Sequence, residues 1–277
     1  MTNSFIRECL RNKTFLVGFF IFASVLLVAV FADLVTDYTY EEMDIVNAFA
    51  RPNQQNLFGT DQYGRDLFSR VVYGSRIALR VGLIVVLIES IIGVALGLVA
   101  GYFGGMANRI ILFITDLTWS MPPIILALAI ITMLGPSLNN VVISIAVVSW
   151  AQFTRIVRAK TLSVKNMPFV EAARAFGEND FNIIMRYILP NVMPSIIVIT
   201  TLALPNAILL TSALGFLGLG AQPPLPDWGV ILSNGIVFAR KAPWITIFPG
   251  LAIVYTVLGF NLIGEGLRDL LDPKLKL

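Results

Sequence analysis

Residues 155–194, RIVRAKTLSVKNMPFVEAARAFGENDFNIIMRYILPNVMP, form the polar interruption of a chain that is otherwise largely apolar. Six basic residues (Arg155, Arg158, Lys160, Lys165, Arg174, Arg186) stand there against three acids (Glu171, Glu178, Asp180). Phe169, Ala172, Ala173 and Phe176 fall at i, i+3, i+4 and i+7, the spacing of one helical face. Phe181, Ile184, Met185 and Ile188 repeat it. Between the two sets lie Gly177, free to enter a left-handed turn, and Asn179 and Asp180, either of which can cap a helix. The spacing predicts helix, sharp turn, helix, held at a membrane surface.

The rest of the chain supplies the membrane. It is 57% hydrophobic and 13% charged, where soluble domains carry roughly 25% charged residues. Hydrocarbon admits only helices and closed barrels, and the apolar runs here have helix length. The fold class is therefore all-α, a polytopic membrane protein with six transmembrane helices. Residues 14–32 are the first span; the run is long for a signal peptide and no small-residue cleavage site follows. The others are expected at about 81–103, 110–134, 138–154, 188–213 and 244–263. The 1–13 arm (Arg7, Arg11 and Lys13 against Glu8) and the 155–187 loop are the most basic segments. Both fall on one side, so the bias of Lys and Arg toward inner loops places the N- and C-termini in the cytoplasm. Arg240 and Lys241, on the outer side, are an exception to that bias.

Several residues within the spans stand out. Gly93, Gly97, Gly101 and Gly105 recur every four residues, a spacing that lets another helix approach closely. Glu89 is a carboxylate inside an apolar run, either lining a path or paired with a basic residue such as Arg80. Pro122 and Pro123 remove two backbone donors and predict a kink or break in the third span. Asn206 lies inside the fifth span, where a bond to a neighbouring helix is the simpler reading and a substrate contact the other. Glu89, Pro122, Pro123 and Asn206 are thus the candidate pathway residues.

The outer loop 33–80 begins acid-rich and continues through Asn56-Leu-Phe-Gly-Thr-Asp-Gln-Tyr-Gly-Arg-Asp66. Gly59 and Gly64 bracket a tight turn, and Asp61, Arg65 and Asp66 can pair locally. A short amphipathic helix is expected after it. The second outer loop, 214–243, is rich in glycine and proline, which rules out a plain span.

Much is missing that catalysis would need. The chain has no histidine and one cysteine, Cys9, so no internal disulfide is possible, and the commonest metal ligand and general base are absent. No phosphate-binding loop, zinc motif or nucleophile elbow occurs. Glu89 and Asp116 as an aspartyl-like pair have no support from their surroundings. The chain reads as no enzyme, without catalytic residues, metal or nucleic acid.

Family resemblance now adds to this. Glu171-Ala172-Ala173, Gly177 and Ile188-Leu189-Pro190-Asn191 resemble the EAA loop of permease subunits in binding-protein-dependent ABC importers. Gly59-Thr60-Asp61, then Gly64-Arg65-Asp66, resembles the more specific GTD-x-x-GRD signature of the dipeptide, oligopeptide and nickel branch. Leu210 to Gly229 is similar to that branch's ETSLSFLGLG block, with Leu210 in place of the usual Glu, and the tail Gly264 to Lys274 is similar to its ending. The resemblance implies a permease domain over 81–277 and alternating access driven by separate subunits. It implies a homologous second permease, two cytoplasmic ATPase domains that bind the ATP and Mg, and an external substrate-binding protein. Glu171, Ala172, Ala173, Arg174 and Gly177 would then couple to the ATPase. Peptides are the cargo it implies first, nickel or a metal chelate second. A proton-coupled secondary peptide transporter is the reading from another class; it asks for inverted repeats and essential intramembrane acids. A scaffold that binds an ATPase without passing substrate is the third.

Overall fold

The computed structural model describes residues 7–271. The first six residues of the 1–13 arm, and the last six of the chain with Pro273 and Lys274, lie outside the described residues. Among the described residues there is no strand, only an isolated bridge between Thr60 and Asp66. Helix α1 is Lys13–Val30, opened by Asn12, whose side chain accepts the Phe15 amide at 2.9 Å. One turn, α2 (Ala32–Val35), follows. Then come α3 (Leu67–Phe103), α4 (Gly105–Trp119), α5 (Pro123–Leu134), α6 (Leu138–Lys165) and α7 (Pro168–Ala175). A continuous helix, α8, runs Asp180–Phe216, and α9 (Trp228–Ile236) and α10 (Trp244–Leu271) complete the chain. Helices α1, α3, α6, α8 and α10 are each long and apolar enough to cross a membrane. Helices α4 and α5 meet at 87° and make a sixth crossing if taken as one broken span. The break falls at Pro122, whose fixed φ and missing donor end α4 and start α5.

Three expectations need correction. The amphipathic helix expected before residue 81 is not separate, since α3 runs unbroken from Leu67. The fourth span does not stop at residue 154 but continues to Lys165. Nothing in the polar sequence up to Lys165 opposes a helix, and the stop comes at Met167, which precedes Pro168 and is extended. Likewise Phe181 to Ile188 is not a free-standing surface helix but the first turns of α8. Its residues Ile183–Ile188 adopt the wider π-helical winding, immediately before Pro190, where a donor is missing. Hydropathy marks where lipid ends; it does not mark where the helix ends.

Close approach is built on glycine. A Cβ on Gly93, Gly97 or Gly101 would meet Phe153, Val157 or Thr161 at 2.6, 2.7 and 2.6 Å, so α3 and α6 touch nearly backbone to side-chain root. Gly105 does not belong to this stripe: it lies past the end of α3 at φ 51° with no neighbour within 4 Å. Gly18, Gly259 and Gly266 do the same between α1 and α10, which run antiparallel, with Gly266 against Phe15. The start of α1, the ends of α6 and α10 and helix α7 thus share one end of the molecule. The opposite end holds residues 36–66, α9 and the starts of α3 and α10. The main apolar core, including Val81, Val85, Ile131, Val141, Ile145 and Leu214, lies between α3, α5, α6 and α8, and Leu210 packs against it.

Candidate functional site

Helix α7 has a sidedness set by two buried residues. Val170 is fully buried and Ala173 nearly so, in a cluster with Leu98, Val157 and Ile188 of the long helices. The face expected at 169, 172, 173 and 176 is therefore split. Ala173 packs inward, whereas Phe169, Ala172 and Phe176 point away from the chain, with Phe176 90% exposed. Phe181 and Met185, at the start of α8, are exposed beside them in sequence. Glu171 and Arg174 are also exposed. Gly177 takes φ 81° and ends the helix. Its amide donates to the Arg174 carbonyl at 3.0 Å and the Glu178 amide to that of Ala173 at 3.2 Å, the paired bonds of a Schellman turn.

This loop is tied to the spans through Tyr102, near the end of α3. The Tyr102 hydroxyl donates to Asp180 Oδ1 at 2.5 Å, and Lys165 donates to its carbonyl oxygen. The Arg174 guanidinium lies 5.8 Å from the centre of its ring. Arg158 donates to Asn108 Oδ1 at 2.5 Å, joining α6 to α4. Tyr102 was not legible as a site residue, because an aromatic at a helix end is common and its partners are remote in sequence.

At the opposite end, the turn with Gly59 and Gly64 is closed in on itself. Thr60, Asp61, Arg65, Asp66 and Arg70 are each at most 5% exposed. Asp61 accepts from Arg65 Nε at 2.7 Å and from the Tyr63 and Arg65 amides. Arg70 lies 3.7 Å from the same carboxylate and donates to the Tyr40 carbonyl at 2.9 Å. Asp66 caps α3, taking the Ser69 amide and hydroxyl at 2.7 Å each and the Asn56 side chain at 2.9 Å. Thr60 donates to the Asn47 carbonyl at 2.5 Å, and its own carbonyl accepts the Trp244 indole at 3.1 Å. Gly59 and Gly64 are at φ 75° and 72°, and a Cβ on Gly64 would lie 1.7 Å from the Asp44 carbonyl oxygen. Segment 44–66 and the starts of α3 and α10 are locked together here. Lys241, expected on the outer side, sits 3.8 Å from the Phe49 ring centre.

The second outer loop closes on the same helix. Asp227 caps α9 through the Gly229 and Val230 amides at 2.7 and 3.2 Å, and the Trp228 indole donates to the Val71 carbonyl at 2.8 Å. Burial pushes the Asp227 carboxyl up to about 6 against those backbone bonds. Trp228 falls in the Leu210–Gly229 block that carried the family resemblance, but Asp227 did not stand out in the sequence; a lone Asp before an apolar run was the signal.

Between α3, α6 and α8 lies a cavity of about 150 Å3 that brings Glu89 and Asn206 together. Ser149 and Gln152 complete its polar lining, with Phe153, Ile156 and Ile199 among its apolar walls. Glu89 is 3% exposed and interacts with the Ser149 hydroxyl, not with Arg80. Asn206 reaches only the Leu202 carbonyl of its own helix, at 3.4 Å. Gln152 was missed in the sequence; a polar residue three positions from Ser149 inside an apolar run was the signal. Pro122 and Pro123 are at the α4–α5 break and do not line this cavity. Asp116 on α4 pairs with Arg155 of α6, and the guanidinium lies 4.8 Å from the Trp119 ring centre.

Five long apolar helices, with a sixth crossing if α4 and α5 are one broken span, make a multi-pass membrane protein with a polar cavity between its helices and a short presented helix at one end. The family profile for binding-protein-dependent transport system inner membrane components matches residues 93–277, and that for the N-terminal TM domain of oligopeptide transport permease C matches residues 2–54. The chain belongs to the family of binding-protein-dependent inner membrane components: it is a multi-pass permease subunit of the inner membrane, not itself a catalyst. The dipeptide transport system permease protein DppC of Alkalihalophilus pseudofirmus is 47% identical, over 98% of this chain and 89% of that protein. The glutathione transport system permease protein GsiD is 46% identical in Pectobacterium atrosepticum, over 81% of this chain and 75% of that one. In Escherichia coli, GsiD is 42% identical over 91% and 83%. A chain of the inward-facing MetNI methionine ABC transporter shares the fold, with TM-score 0.57 and 19% identity over 74% of this chain and 97% of that one.

Proposed function

We propose that this chain is one of two homologous permeases in an ATP-driven importer of small peptides. In this reading an external binding protein delivers the peptide and two cytoplasmic ATPase domains drive its passage. The end carrying Lys13, Lys160, Lys165, Arg174 and Arg268 faces the cytoplasm, in keeping with the inward bias of basic residues. Peptide cargo rests on the names of the relatives.

The observation that carries the reading is the split face of α7. Val170 and Ala173 anchor it to the long helices, while Phe169, Ala172 and Phe176 remain uncovered. An isolated soluble surface rarely leaves such residues together. A groove on the ATPase covers them, with Glu171 and Arg174 at its rim. ATP binding closes the ATPase pair, α7 moves with its groove, and the Tyr102 contacts pass the displacement to α3 and α8. The spans open outward; hydrolysis returns them.

The test is affinity purification of the gently extracted chain beside Phe169→Ser/Phe176→Ser and Gly177→Pro variants. Co-purification of an ATPase and a second permease is expected, with the ATPase lost from the double variant while the second permease stays. Gly177→Pro cannot adopt φ 81° and lacks the amide bonded to Arg174; it is expected to hydrolyse ATP without peptide uptake. Normal uptake by Gly177→Pro at normal abundance, or an ATPase retained by the double variant, would sink the assignment.

A further inference from the structure

Beyond the Ser149 hydroxyl, Glu89 has no charged or hydrogen-bonding partner among the described residues to offset its burial. It is 3% exposed, and its Oε1 has no hydrogen-bond partner. No Lys or Arg lines the cavity, and the ion pairs among the described residues join Asp61 to Arg65 and Arg70, Asp33 to Arg76 and Asp116 to Arg155. Holding a carboxylate without a counter-charge away from water is unfavourable, and inside a span such a group marks a pathway. Its position reinforces this. Glu89 lies 14 residues before the end of α3, about 21 Å at 1.5 Å per residue, so near the middle of the membrane.

The cavity does not end there. Ile156 and Ile199 also wall a second cavity, of about 290 Å3, nearer the α7 end. Its polar lining is Lys160, Ser195 and Arg268. Across these two adjoining cavities the charge therefore changes from acidic at Glu89 to basic at Lys160 and Arg268. A ligand with an ammonium group at one end and a carboxylate at the other matches that order. A bare metal ion does not match it. The cavity offers one carboxylate, two carboxamides and a hydroxyl, and the chain has no histidine to add, whereas a borderline metal takes several imidazole or thiolate ligands.

We propose that Glu89 is the contact for the ammonium group of the transported peptide on this half of the pathway. The carboxamides of Gln152 and Asn206 face the peptide's amide groups. This rests on the peptide-permease reading above and assigns it a residue. One salt-bridged hydrogen bond from ammonium to carboxylate, shielded from water, gives passing affinity without trapping the cargo, because the apolar walls add little specificity.

The test uses the assembled transporter, with ATPases and second permease, in membrane vesicles. Cys9 is replaced by Ser, and Ala203→Cys, at a small residue of the cavity wall, becomes the reporter thiol. Labelling rates are measured with a cationic and an anionic methanethiosulfonate reagent. With Glu89 present, the cationic-to-anionic ratio is expected to exceed that of the Glu89→Gln variant about tenfold, the effect of one nearby charge in partly screened surroundings. A dipeptide with a free amino terminus is expected to slow labelling, and its N-acetylated form is not. That comparison needs no Glu89 variant, so it stands even where Glu89→Gln fails to accumulate. An unreactive thiol, a ratio independent of Glu89, or equal protection by the acetylated peptide would overturn the proposal. Protection by nickel chloride alone, and none by the dipeptide, would overturn it in favour of a metal path. Failure of ATPase and second permease to assemble strikes the permease reading itself, whereas an assembled complex with Glu89-independent labelling strikes only the ammonium site.

Discussion

Two loops of this chain carry family motifs, and they are built in opposite ways. Residues 59–70 turn their charges inward, so that Asp61, Arg65, Asp66 and Arg70 are nearly fully buried and hold one another, Tyr40 and Ser69. Residues 168–177 turn apolar side chains outward and leave Phe176 90% exposed. A loop whose polar groups are satisfied internally serves its own molecule. A loop that leaves apolar groups uncovered serves a partner. The motif with the greater sequence specificity is thus the structural one, and the looser motif is the one presented for contact.

That contrast predicts how each loop responds to substitution. The largest effect is expected for Asp61→Ala, which strands two buried guanidinium groups and should cost about 3–5 kcal/mol, read as lost abundance or a fall in Tm of the purified complex. A fully stable Asp61→Ala protein would show that the loop around Asp61 is not a lock. Gly64→Ala comes next. Its Cβ would overlap the Asp44 carbonyl oxygen at 1.7 Å in a left-handed backbone, and about 3 kcal/mol is expected in the same assay.

Asp227 sharpens the comparison through pH. Its folded carboxyl is raised from 3.8 to about 6 by burial, so the fold favours the neutral acid. That contribution is fully present below pH 3.8 and is lost as pH rises through about 6, roughly 2–3 kcal/mol across the window. Asp227→Asn keeps a cap oxygen and should flatten the dependence of Tm on pH between those values; an unchanged slope would remove Asp227 as its source. The smallest effect on stability belongs to Phe176→Ser, expected within about 0.5 kcal/mol of the parent, while ATPase co-purification falls. A large loss of Tm in Phe176→Ser would mean that the presented face is needed by the chain itself.

Legibility in the sequence followed chemistry with short range. The apolar runs, the Pro122–Pro123 break, the Gly177 turn and the small-residue stripe at Gly93, Gly97 and Gly101 are all local statements about donors, backbone angles or side-chain size. The helix end at Lys165 was not legible, because a helix leaving the bilayer has no reason to stop until a residue such as Pro168 opposes it, whereas the cap expected at Asn179 does open the helix at Asp180. The face of α7 was misassigned at Ala173 for a related reason: periodicity states that residues share a side, not which apolar residues a neighbouring helix will cover. Tyr102, Gln152 and Ser149 gained their roles from partners tens of residues away.

From sequence alone came the class of the molecule: an all-α chain of several crossings with two motif-bearing loops at opposite ends. These follow from transfer free energy and backbone hydrogen bonding, which each segment obeys independently of its neighbours. The tertiary structure decided the rest. It closed the outer signature on itself, turned Phe169 and Phe176 outward, and brought Glu89 and Asn206, 117 positions apart in sequence, to one cavity. Such pairings depend on which helices touch, and that is set by close packing of whole faces rather than by any one stretch.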